Sequence, residues 1–129
     1  MNKIKTIIIT LFLLTKISIS YAVNLTEDTT ISSTVTTQQV VTADDVDIIV
    51  TNNASITRTG QKAVKNTDNE VTGTTLTIHS GSSVTSTGNN TIDSEGGELT
   101  ITNSGTIQAI GASGNNSKAI YLSGSNGGI

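Results

Sequence analysis

The chain has 129 residues, ten acidic and seven basic, a net charge of −3, and neither cysteine nor proline. That composition excludes a disulfide framework and a thiolate metal site, and an acidic chain without basic–aromatic clusters is a poor partner for nucleic acid or anionic membrane surfaces. Only 2% of the residues are aromatic, so a core has to be built from aliphatic side chains.

In chain order, residues 1–5 carry Lys3 and Lys5, residues 7–14 are apolar except for Thr10, and Ser20-Tyr21-Ala22 ends the segment on small residues. A basic start, a short apolar run and a small-residue site form a secretory signal peptide. The apolar run is too short for a membrane helix, which needs about 20 residues. Residues 1–22 are therefore expected to be a leader cleaved after Ala22. The mature chain from Val23 onward keeps four basic side chains, Arg58, Lys62, Lys65 and Lys118, against all ten acids, a net charge of −6. Tyr121 is then the only aromatic.

Residues 23–47 place Ile31, Val35, Val40, Val41 and Val46 at irregular intervals among threonines and end in Asp44-Asp45-Val46-Asp47. They are expected to form an N-terminal cap and an irregular first turn, because the first unit of a stack must cover an open edge.

Residues 48–129 read as a repeat cut off at its end. Three copies share an apolar residue, a second one six positions on, a glycine four later and a further apolar residue: Val50, Ile56, Gly60, Val64; Ile78, Val84, Gly88, Ile92; Ile101, Ile107, Gly111, Ile120. The second copy thus begins 28 positions after the first and the third 23 positions after the second, with an insertion at 112–116 inside the third and a fourth copy beginning at Ile129. Within each copy apolar residues alternate with Thr or Ser, as in Leu76-Thr77-Ile78-His79 and Leu99-Thr100-Ile101-Thr102. Alternation of period two in short runs bounded by Gly, Asn and Ser is a strand signal. Repeats of this length stack because one unit cannot bury its apolar face alone. The expected fold is all-β: a right-handed parallel β-helix, or solenoid, of about three turns of 23–28 residues. The rival is an antiparallel immunoglobulin-like sandwich. Only about three turns and an open last edge make such a fragment marginally stable or prone to aggregate.

Alternation directs Ile48, Val50, Ile56, Val64, Leu76, Ile78, Val84, Ile92, Leu99, Ile101, Ile107 and Ile120 inward. The alignment would pair Ile78 with Ile101 and Val84 with Ile107. Asn52, Ser80 and Asn103 fall at one equivalent turn position, where amides tolerate left-handed geometry or ladder along the stack.

The string ITNSGTIQA at residues 101–109, followed by KAIYLSG at 118–124, resembles the passenger repeats of bacterial autotransporters, and Asn52-Asn53-Ala54-Ser55-Ile56 with Gln61-Lys62-Ala63-Val64 looks like a degenerate copy. The likeness spans roughly residues 46–129. It implies an exported cell-surface passenger or stalk, structural or adhesive, whose longer precursor supplies a C-terminal outer-membrane β-barrel as partner. The competing expectation is the N-terminal part of an exported β-helical enzyme that degrades polysaccharide.

Chemistry is sparse in the sequence. His79 is the only histidine and follows Ile78 on the outward face, where a solvated side chain is expected. Asp93, Glu95 and Glu98 around Gly96-Gly97 could offer oxygen ligands to a hard cation, but they read as a solvated acidic loop. Four Asn-x-Ser/Thr sequons, at Asn24, Asn53, Asn89 and Asn115, are of the kind that arise by chance in so Asn- and Thr-rich a chain. No catalytic residue, cofactor or metal ligand is assigned, any surface ligand is left open, and nucleic acid is not expected as a partner.

Overall fold

The computed structural model describes residues 22–66, 70–111 and 117–123. Residues 1–21 of the expected leader, the insertion at 112–116 and Ile129 lie outside them.

Among the described residues twelve short strands follow one another: β1 (Val23–Leu25), β2 (Thr29–Ile31), β3 (Gln39–Val41), β4 (Asp47–Val50), β5 (Ser55–Thr59), β6 (Val64–Asn66), β7 (Thr74–Ile78), β8 (Ser83–Thr87), β9 (Ile92–Ser94), β10 (Leu99–Asn103), β11 (Thr106–Ile110) and β12 (Ile120–Leu122). They form a five-stranded sheet β1-β3-β6-β9-β12, a four-stranded sheet β10-β7-β4-β2 and a three-stranded sheet β11-β8-β5. Every strand pairing among the described residues is parallel. A sandwich would pair its strands antiparallel, so the fold is the parallel β-solenoid. Three coils, β4–β6, β7–β9 and β10–β12, each place one strand in every sheet.

The core is the aliphatic column that alternation requires. Ile48 lies under Leu76 and Leu76 under Ile101; Ile56, Val84 and Ile107 stack likewise, as do Val64, Ile92 and Ile120. Nine of the twelve residues expected inside are buried, and Ile101, Ile107 and Ile120 on the last coil are half-buried against them. Each fully buried side chain contributes about 1.5 to 3 kcal/mol. Facing out from the three-stranded sheet are Ser55, Ser83 and Thr106 in one column, Thr57, Thr85 and Gln108 in the next, and Thr59, Thr87 and Ile110 in a third. The threonines that dominate these columns satisfy strand geometry while keeping the face wet.

One expected pairing is corrected. Val84 does lie beneath Ile107, but Ile101 pairs with Leu76 and Asn103 with Ile78, two positions away from the Ile78–Ile101 match. The shortening of the third copy is therefore split between two corners. Part of it falls between the five-stranded and four-stranded sheets, where 67–73 is replaced by 95–98, and the rest between the four-stranded and three-stranded sheets, where 79–82 is replaced by 104–105. A slip of two positions leaves every side chain on its own face, so alternation alone does not detect it. Asn103 consequently leaves the set it was expected to share with Asn52 and Ser80.

Residues 23–41 are more regular than their spacing suggests. β1 pairs with β3, β2 with β4, and Val35 bridges Ile56, so each sheet is already entered in this first coil. The coil is short, since Val23 already meets its ladder partner at Gln39 whereas Val64 meets its own only at Ile92.

The corners explain the left-handed residues. Asn52 and Asn53 have φ of 57° and 58°, and the turn they make is closed by a hydrogen bond of 3.0 Å from Ala54 N–H to the Thr51 carbonyl. One coil on, Gly81 takes the place of Asn53 with φ of 81°, and a Cβ there would lie 2.1 Å from Asn53 Oδ1. Asn at these positions thus serves backbone geometry first.

Candidate functional site

The shortened corner builds the most site-like feature of the surface. Turns 51–54 and 79–82 project from two successive coils, each closed by its own hydrogen bond, Ala54 N–H to Thr51 O and Ser82 N–H to His79 O, both 3.0 Å. On the next coil the chain cuts across: Ser104 N–H reaches the Ile78 carbonyl at 2.8 Å and Thr106 N–H reaches that of Ser82 at 3.0 Å, so residues 104–105 span what took 79–82 below. The projecting turn is left as a ledge under a recessed wall. The resulting open groove of about 490 Å³ is lined by Thr51, Asn52, Asn53, His79, Ser80 and Ser104.

His79 lies on the outer face as expected and is exposed. It is not isolated, however: the hydroxyl of Thr51, one coil below, stands 3.1 Å from its Nδ1. That contact orients the imidazole and leaves Nε2 for a further partner. No carboxylate is among the groove's lining residues, so the hydroxyl–imidazole pair has no acidic partner to orient it as a nucleophile–base couple, and the groove has no carboxylate pair for glycoside hydrolysis.

A second cluster occupies the five-stranded sheet. Lys62 Nζ lies 3.0 Å from Asp93 Oδ2 and 2.8 Å from Glu95 Oε1, and Lys65 Nζ is 3.3 Å from Glu95 Oε2. Asn90 Nδ2 donates to Asp93 Oδ2 at 2.9 Å. Asp93 is 1% exposed although alternation points it outward, because it lies between Lys65 and Tyr121 in its ladder and under the Lys62 side chain. The Lys118 ammonium lies 4.3 Å from the Tyr121 ring centroid, a cation–π contact. Of the three acids considered for a cation, Asp93 and Glu95 are thus engaged by lysines.

No protein-family model, curated protein or solved structure matches this chain.

The ionic cluster behaves as structural glue. The hydrogen bond from Lys62, with further help from Lys65 and both charges, holds the Glu95 carboxyl below its ordinary 4.5 against a smaller effect of burial. Burial pulls the Lys62 ammonium down, but its hydrogen bonds and charge contacts with Glu95 and Asp93 outweigh this and leave it above its ordinary 10.5. A lowered carboxyl contributes stability that is complete above its unfolded value and is lost as pH falls through the folded one; a raised ammonium contributes below its unfolded value and loses it as pH rises. The melting-temperature gap between the wild-type chain and Glu95→Gln should therefore be constant from about pH 6 to 9 and shrink as pH falls below the ordinary carboxyl value of 4.5. It should be small throughout, because Glu95 is 41% exposed and solvent screens it. A gap unchanged at the acid end would show that the carboxylate contributes through packing alone.

The Thr51–His79 pair and the Lys62 bridges did not emerge from reading the sequence, yet one signal points to the first of them. The offset that aligns Val50 with Ile78 places Thr51 under His79 and Lys65 under Asp93.

Proposed function

We propose that this chain is an exported, non-catalytic β-solenoid segment of a bacterial surface protein, a passenger or stalk of the autotransporter type that carries a binding face. In that reading a C-terminal outer-membrane β-barrel of the full-length protein is its partner. The stack itself supports this most directly: coils seal an aliphatic column and turn neutral hydroxyl-rich ladders outward, a form that lengthens by repetition and offers an extended surface. The basic, apolar and small-residue order of residues 1–22 supports export.

The reading predicts that the protein recovered from expressing cells begins at Val23, as N-terminal mass spectrometry would show, and that antibodies raised against the chain label intact cells of the source organism. Recovery from the cytoplasm with the segment from Met1 to Ala22 still attached, and labelling only after lysis, would overturn it.

A further inference from the structure

We infer that the corner groove between the four- and three-stranded sheets binds an uncharged, polyhydroxylated ligand, a stretch of neutral polysaccharide. The inference deepens the proposed binding role and rests on it only in requiring that such a polymer be within reach.

The lining chemistry selects the ligand class. Two carboxamides, three hydroxyls and an imidazole line the groove, and no carboxylate, lysine or arginine is among the lining residues. Carboxamides and hydroxyls each donate and accept, as sugar hydroxyls do. A phosphate or a uronate would require a cation, and none lines the groove: Lys62 and Lys65 are bound to Asp93 and Glu95 on the five-stranded sheet, Arg58 donates to the Thr36 carbonyl, and Lys118 lies over Tyr121. An apolar ligand would have to desolvate six polar side chains for little return.

The donors are also held in place. Asn52 and Asn53 project from a turn fixed in left-handed geometry, the Asn53 carboxamide oxygen fills the space that a Gly81 Cβ would take, and Thr51 orients His79. Groups already fixed lose little entropy when a ligand arrives. Sheet faces flanking the groove continue the same chemistry, with Thr77 beside Thr102 on one and Thr57 beside Thr85 on the other. An extended chain crossing the corner therefore meets hydroxyls on both sides.

The test titrates the full chain with maltohexaose, cellohexaose and chitohexaose, followed by amide and His79 imidazole NMR shifts, with a galacturonate hexamer and a heparin hexasaccharide as charged comparators. At least one neutral hexasaccharide should give saturable shifts centred on 51–53, 79–80 and 104. His79→Ala and Asn52→Gly, which keep the corner backbone, should each weaken binding about tenfold, the size of one or two lost hydrogen bonds. Absence of saturation by all three neutral sugars, preference for a charged comparator, or binding indifferent to both variants would overturn the proposal. Because the purified chain reports on the groove and cell labelling reports on location, the two readings fail independently.

Discussion

Replacing Gly105 with alanine should destabilise the chain by about 3 kcal/mol, enough to remove a large part of the stability of a small domain. A Cβ at Gly105 would stand 2.3 Å from the Ser82 carbonyl oxygen, 2.6 Å from that of His79 and 2.8 Å from Ile78 Cγ2. Neither oxygen can retreat cheaply. The His79 carbonyl closes the 79–82 turn by accepting from Ser82, and the Ser82 carbonyl accepts from Thr106, so moving either breaks a bond that shapes the corner. Gly60→Ala is the control: its φ of 70° is left-handed but nothing lies within 4 Å, leaving only the backbone cost of about 1 kcal/mol. Urea denaturation of both variants measures the contrast. If Gly105→Ala unfolds at the wild-type midpoint, the third corner is not clamped onto the one below, and the register that places Ile101 on Leu76 is wrong.

That register is also where reading the sequence stopped short. Leu99-Thr100-Ile101 matches Leu76-Thr77-Ile78 residue for residue, and stacking like on like is the natural choice. The structure sets Leu99 on Thr74 and Ile101 on Leu76 instead. Both arrangements bury the same faces, so hydrophobic pattern is blind to the difference, and what decides it is how few residues can round a corner. The fold class was legible because one constant offset, the step from Val50 to Ile78, repeats in all three sheets between the second and third coils. The groove was not, because it exists only through the shortfall at the last corner. His79 was placed on the correct face for the same reason that its partner was missed: alternation gives direction, and only register gives neighbours.

Truncating Leu76 and Ile120 to alanine should give unequal effects although both side chains pack in the aliphatic interior. Leu76 is fully buried and sandwiched between Ile48 below and Ile101 above. Large-to-small changes at such sites cost about 2 to 5 kcal/mol, because the cavity adds to the lost transfer energy, and about 3 to 4 kcal/mol is expected where neighbours are fixed by ladders on both sides. Ile120 is half-buried on the last described coil and pairs there with Ile92 alone, so it hides less area from water and its surroundings have room to relax. About 1 kcal/mol is expected for it. The reason is the one-dimensional character of a solenoid, in which a coil is held only by the coils beside it. Hydrogen exchange separates this from a globular core: Leu76→Ala should lower protection in β4, β7 and β10 together, whereas Ile120→Ala should lower it in β12 and hardly reach β6. Equal losses of protection from the two variants would mean that the coils fold as one indivisible unit, and the advantage of extending such a stack by repetition, on which the stalk reading depends, would have to be sought elsewhere.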